Sequence, residues 1–233
     1  MIRTYLDQEE VKEVIDLGIA QNNGKPPDIR KTNSGFHNND IPNAFGINSG
    51  NRAYPHIIGL IGEFGLGKYM NWLVNKSVTV NGDGVDFPGV EAKTIATDAK
   101  DQTLKVKERE FEKKKPRYYV LNRICVRNPR VVEHMGQISR SDFDRKKRKV
   151  VYKNEDGELC ESETWQVNII DLDVIDKDIL NLGRQEAIGE QAAEDDRKRV
   201  ENEAERNRNV HLEMPRSGKD FISKMRQNGV LWK

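Results

Sequence analysis

The most apolar stretch of the chain, residues 54–75 (YPHIIGLIGEFGLGKYMNWLVN), decides what everything else can fold around. Ile57, Leu60, Ile61, Phe64, Met70, Leu73 and Val74 recur at helical spacing, which predicts a buried helix. Its four glycines are poor helix formers, so they are read as places where a neighbour packs closely against the helix. Polarity elsewhere keeps the core modest. Hydrophobic residues make up 36% of the 233 and charged residues 33%, whereas about 45–50% apolar is usual on a count that includes Gly. The length suits one domain, or one domain with an appendage.

Charge and cysteine content exclude several classes. The net charge is +1, from 39 basic and 38 acidic residues, so the chain cannot coat a polyanion by bulk charge. Any anion must be met by a local basic patch. Cys125 and Cys160 are too few for a disulfide framework or a cysteine-based zinc site, and read as thiols in a reducing compartment. The segment MIRTYLDQEEVKEV has no apolar core of signal-peptide type, and no window reaches the ~18 apolar residues of a membrane span. The expectation is a cytoplasmic protein with no membrane partner.

The elements follow from periodicity. Residues 6–20 have a helical stripe, with Asp7 as N-cap and Glu10 three residues on. Residues 21–52, rich in Asn, Gly, Pro and Ser, read as a long loop. Short strands are expected at Ser77–Val80 and Val90–Ala96, separated by a turn at Asn81–Gly84. Lys100–Lys115 reads as a charged loop or surface helix. Tyr118–Val126 has the aromatic and β-branched content of a central strand. A strand at Val131–Ile138, a basic helix at Ser141–Lys149 and strands at Val150–Lys153 and Thr164–Ile170 follow, with a turn at Asn154–Gly157 between the last two. From Arg184 to Asn209 nearly every residue is charged, polar or Ala, which predicts a solvated helix. Phe221, Ile222, Met225, Val230, Leu231 and Trp232 form a small apolar cluster at the C-terminus. The pattern divides into an N-terminal helix and polar loop (1–52), a core (53–182) and a charged helical extension (183–233), in an α/β or α+β class.

Two constellations offer chemistry. Gly62-Glu-Phe-Gly-Leu-Gly67-Lys68 satisfies G-x-x-x-x-G-K, the pattern of a phosphate-cradling loop in a nucleotide-binding NTPase. Tyr69 stands where that loop needs a Ser or Thr hydroxyl for Mg²⁺, so close helix packing is the better account of the glycines. The second constellation is Asp86-Phe-Pro-Gly-Val-Glu91-Ala92-Lys93. Alternation along a strand puts Glu91 and Lys93 on one face, and the Pro88-Gly89 turn lets Asp86 approach it. Two carboxylates and the Ala92 carbonyl suit an oxygen-seeking dication, and an ammonium beside them suits a phosphoryl transition state. Glu63, on the preceding helix, is expected to add an outer or direct contact to such an ion.

These residues resemble a known family. Gly59-Leu-Ile-Gly62-Glu63 in an apolar helix, Gly82-Asp-Gly-Val-Asp86-Phe87, Val90-Glu91-Ala92-Lys93-Thr94 and Tyr118-Tyr-Val-Leu are similar to the PD-(D/E)XK nucleases, the restriction-endonuclease-like superfamily, in its phage and bacterial members. The resemblance covers about residues 50–180, and includes Met135–Ser139 as the strand and turn before a short helix. It implies a mixed β-sheet flanked by helices, with Glu63, Asp86, Glu91 and Lys93 as the catalytic set. Glu63, Asp86, Glu91 and the Ala92 carbonyl would hold Mg²⁺ or Mn²⁺. The family's nominal Pro-Asp is absent, since Asp86 follows Val85. The function expected is a metal-dependent deoxyribonuclease, an endonuclease, acting in the host cytoplasm if phage-encoded, with a homodimer or higher oligomer as its assembly. The alternatives are the NTPase and a non-catalytic nucleic-acid-binding protein.

Basic groups supply the expected phosphate contacts. Arg145, Lys146, Lys147, Arg148 and Lys149 form an uninterrupted run. Lys105, Lys107, Arg109, Lys113–Lys115 and Arg117 are interleaved with Glu108, Glu110 and Glu112, and read equally as a solvated face. His56 is seven residues before Glu63, on the same side of the helix, and reads as structural. His37 reads as exposed, and Tyr69 and Trp72 as core.

Overall fold

A computed structural model of the chain describes residues 2–23, 54–74, 85–96, 102–125, 128–153 and 158–213. The expected loop beyond Asn23, the strand at Ser77–Val80, the turns at 81–84 and 154–157, His37 and the C-terminal apolar cluster lie outside these residues. The described elements are β1 (Ile2–Tyr5), α1 (Gln8–Asn23), α2 (Tyr54–Met70), β2 (Val90–Ala96), β3 (Thr103–Lys107), α3 (Glu108–Lys113), β4 (Tyr118–Cys125), β5 (Asn128–Ser139), α4 (Arg140–Lys146), β6 (Arg148–Lys153), β7 (Leu159–Asn168), a 3₁₀ turn (Ile169–Asp171) and α5 (Lys177–Glu213). The class is mixed α/β with two sheets.

The first sheet has the order β1-β5-β4-β2. β1 and β4 run antiparallel to β5, while β2 runs parallel to β4. A parallel neighbour needs a crossover, and here β3 and α3 provide it. β3 joins the second, antiparallel sheet, β3-β7-β6. In β4, Tyr119, Val120, Leu121 and Ile124 are all buried. Ile124 packs with α1 and α2, whereas Tyr119 and Leu121 pack with Leu104, Val106 and Val167 of the second sheet and with Phe143 of α4. A strand covered on both faces carries apolar side chains on both, as its sequence anticipated.

α2 lies on the first sheet because its glycines remove the side chains that would hold it off. A Cβ on Gly62 would stand 1.8 Å from Thr94 Oγ1, and one on Gly65 would stand 2.7 Å from Val132. The same holds between helices, since a Cβ on Gly18 of α1 would lie 2.4 Å from Ile57. The Gly62–Lys68 segment is therefore helix and not a phosphate-cradling loop, and Lys68 ion-pairs with Glu10 at 2.7 Å. α2 closes with Asn71 in the left-handed region (φ 58°), while the Trp72 and Asn71 amides donate to Gly67 and Lys68 carbonyls.

Several elements differ from the reading of the sequence. β1 gave no periodic signal, yet it pairs along β5. β1 and α1, placed in a flanking segment by composition, pack in the same compact unit as the sheets. α1 begins with the expected box: the Glu10 amide donates to Asp7 Oδ1 at 2.8 Å, and the Asp7 amide donates to Glu10 Oε2 at 2.7 Å. The charged stretch after Lys100 contains β3, whose Leu104 and Val106 alternate with exposed lysines. The basic helix ends at Lys146 and not at Lys149, because Arg148 and Lys149 pair with Gln166 and Trp165 of β7. Here tertiary pairing overrides local preference.

The chain divides into two compact units, 1–187 and 188–233. The first turns of α5 belong to the first unit. Leu180 is buried, Asn181 accepts from Trp72 Nε1 at 2.9 Å, and Gly183 lies against the Tyr118 ring. In the second unit, residues 188–206 are exposed helix with short-range pairs such as Lys198–Glu194 at 2.6 Å. No helix among the described residues is long and apolar enough to cross a membrane.

Candidate functional site

β2 forms the rim of the first sheet and divides its side chains between two environments. Val90 and Ala92 pack with Leu66 and Met70 of α2. Glu91 and Lys93 take the opposite face, where β4 presents Tyr119 and Leu121 in register with them. There Lys93 Nζ lies 2.9 Å from Glu91 Oε1. Ahead of β2, Phe87 and Val90 exchange backbone hydrogen bonds across Pro88-Gly89, with Gly89 at φ 72°. That tight turn brings Asp86 back along the strand, and the Ala92 amide donates to Asp86 Oδ2 at 2.8 Å. The N–H and C=O of a strand residue point to the same side, so the Ala92 carbonyl shares this edge with Asp86.

Further partners come from the crossover. Lys114 Nζ donates to Glu91 Oε1 at 2.9 Å, and Lys93 Nζ donates to Glu110 Oε2 at 2.8 Å. Glu91 is therefore buried between two ammonium groups, while its Oε2 is buried without a hydrogen-bond partner. Arg140 secures this segment. Its guanidinium donates to the carbonyls of Phe111 and Lys114, both at 2.7 Å, and to Tyr119 Oη at 3.3 Å.

The acids interact as a group. Burial, then the charge of Glu91, pushes the Glu63 carboxyl up to about 7, against Lys114 and Lys93. Burial, followed by Glu63 and Glu91, holds Asp86 well above the usual carboxylate range. Burial alone would lower the Lys93 ammonium, but Glu91 and Glu110 outweigh it and hold its pKa above the ordinary value. Glu110 experiences the converse: burial raises its carboxyl, Lys93 lowers it further, and the net shift is downward.

The donor set fits an oxygen-seeking dication in its chemistry. Three carboxylates feel one another's charge, and one buried oxygen of Glu91 has no hydrogen bond to lose. Among the described residues no group of three or more acidic, His or Cys side chains is placed so that it could hold a metal ion as it stands. Glu91 bears on Glu63 and both bear on Asp86 through charge, with Lys93 and Lys114 offsetting Glu91. Glu63, Asp86, Glu91 and the Ala92 carbonyl are the groups that would hold an ion.

The basic run is dispersed. Arg145 pairs with Asp142 at 2.5 Å, Lys146 bonds the Asp171 carbonyl at 3.2 Å, and Lys147 pairs with Asp144 at 2.5 Å. Arg148 donates to Asn168 Oδ1 at 2.9 Å, and Lys149 pairs with Glu108 at 2.7 Å. Lys147 lies over Phe111 and Lys149 over Trp165, at 3.9 and 4.0 Å from the ring centroids. The residues that sequence reasoning left without an individual place in the site are Glu110, Lys114, Tyr119 and Arg140. Lys114 stood inside the noted Lys113–Lys115 run, but no spacing rule links it to Glu91 across the crossover. Comparison of the chain with protein-family models, curated proteins and solved structures found no match.

Proposed function

We propose that the chain is a metal-dependent phosphodiester hydrolase acting on DNA, with a restriction-endonuclease-like core built on α2, β2 and β4. The observation that supports this reading is the arrangement around Glu91: Lys93 bound to its carboxylate and Asp86 returned to the same strand at the Ala92 amide, with the Glu63 carboxyl raised by the charge of Glu91 after burial. The parallel pairing of β2 with β4 agrees with such a core.

Mg²⁺ or Mn²⁺, when bound, supplies Lewis-acid polarisation of the phosphodiester and acidifies a water. The chain's own groups do the rest. Lys93 stays protonated, so it is assigned to orienting the attacking water and offsetting charge that grows on the phosphoryl oxygens. Lys114 adds a second positive charge on the same side of Glu91. Glu63, whose carboxyl is pushed upward in the metal-free chain by burial and then by Glu91, is assigned with Asp86 and Glu91 to the ion, whose charge would favour its ionised form. Water adds to phosphorus and releases a proton to solvent, the bond to the leaving oxygen breaks, and that oxygen takes up a proton from solvent.

The test is incubation of purified protein with circular and linear DNA in Mg²⁺, Mn²⁺ or EDTA. Cleavage of circles in either metal and none in EDTA is expected, with Lys93→Ala inactive but still binding DNA. Metal-independent cleavage, or a Lys93→Ala variant that cuts at the wild-type rate, would refute the reading.

A further inference from the structure

The second sheet has two chemically different faces. Its inner face carries Leu104, Val106, Trp165 and Val167 toward the core, and Lys149 on that side is neutralised by Glu108. The outer face is set by alternation and register. Lys105 and Lys107 of β3 stand opposite Gln166 and Thr164 of β7, and Arg148 of β6 stands opposite Gln166 from the other side. Asn168 lies on the same face and accepts from Arg148. Lys105, Lys107 and Arg148 are exposed, and none of these paired positions carries an acid. Lys105 and Lys107 have no ion-pair partner among the described residues. In a chain with 39 basic and 38 acidic residues, a face with cations and no acids is a local departure.

We propose that this outer face is a docking surface for the sugar-phosphate backbone of a nucleic acid. Lys105 and Lys107 are two residues apart on one strand, about 6.8 Å. Along the axis of a duplex each strand advances roughly 3.4 Å per phosphate, so the two lysines span an axial length that contains more than one phosphate. Arg148 lies two strands away, about 10 Å across the sheet, where it meets a further phosphate. The amides and hydroxyl between them are neutral donors that suit phosphate and sugar oxygens. The face also runs up to the candidate site. Lys107 is next to α3, its charge bears on Glu110, and Glu110 holds Lys93. The choice of a nucleic acid as the polyanion rests on the phosphodiesterase reading.

The experiment measures binding of a fluorescein-labelled DNA duplex by anisotropy, in EDTA, across a salt series. K105Q/K107Q/R148Q is compared with wild type and with K12Q/K198Q/R199Q, which removes equal charge elsewhere. K105Q/K107Q keeps the Arg148–Asn168 bond and guards against misfolding. The expected result is a log–log salt slope shallower by about 2–3 in the first variant, since each lost phosphate contact removes about 0.9. The double variant should lose about two-thirds of that, and the control none. A wild-type slope in both face variants, or wild-type cleavage without measurable DNA binding at low salt, overturns the surface and leaves the nuclease reading standing. Binding that falls in the variants while no form ever cuts keeps the surface and removes the nuclease. If the variants change only oligomer size in sedimentation, the face belongs to a second copy of the chain and the proposal fails.

Discussion

Replacing Glu63 by Gln should stabilise the metal-free protein, by an amount that grows as the pH rises from about 4.5 to about 7 and then levels off. The Glu63 carboxyl is raised from 4.5 to about 7 by burial and then by Glu91. The folded state therefore holds this proton more tightly than the unfolded chain does. The stability contributed by that proton is complete below 4.5 and is lost as the pH rises through 7. A difference of 2.5 pKa units corresponds to about 3 kcal/mol at 1.36 kcal/mol each. Gln is nearly isosteric and cannot ionise, so the variant escapes the loss. Urea denaturation in EDTA, run for both proteins at several pH values, reads it directly. The variant's advantage should grow from near zero at about pH 4.5 to about 3 kcal/mol at about pH 8. Because Glu63 also raises Asp86, part of that gain is relief of mutual repulsion. Added Mg²⁺ should stabilise wild type more than the variant and narrow the gap. An advantage that stays flat across this range would refute the placement of Glu63 among buried, like-charged neighbours, and with it the assignment of that acid to the site.

Other consequences can be checked separately. His134, buried between Thr4 and Asn122 by bonds of 2.9 and 2.8 Å, has its pKa lowered to about 4 by burial and then by Lys177. Stability present above about 6.5 should fall as the pH drops toward 4, by up to about 3 kcal/mol, and His134→Gln should lose that acid dependence in the same denaturation series. Gly62→Ala places a methyl group 1.8 Å from Thr94 Oγ1 and 2.8 Å from its Cβ, so turning the hydroxyl away does not relieve it. It should cost about 1–3 kcal/mol in a thermal melt and reduce activity by shifting Glu63. Asp7→Ala should lower the melting temperature through the lost capping box. A chain truncated after Ala187 should keep the cooperative unfolding of the first unit. One ending at Leu182 should be less stable, because it loses the Gly183–Tyr118 contact and the Arg117–Glu186 pair at 2.8 Å.

Much of the site was legible as spacing. A strand of Val90–Ala96 with acid and lysine two residues apart puts both on one face whatever surrounds it, because side-chain alternation is a local property of the backbone. The Asp7 box, the glycine-bearing helix and the apolar strand Tyr118–Cys125 are local in the same sense, since each is encoded within a few turns or one strand. What the sequence could not decide was which distant residues meet. Lys114 and Glu110 reach Glu91 and Lys93 only because the β2–β4 crossover folds back through the second sheet, and Arg140 then anchors its carbonyls. β1 carries only four residues and no period, and is a strand because β5 offers it a ladder. The basic run is continuous in sequence and divided in space. A helix end and an antiparallel strand start send Lys147 and Lys149 onto aromatic rings, and Arg148 onto the opposite face. Local periodicity determines the face on which a side chain stands, whereas the charges it meets are determined by tertiary pairing.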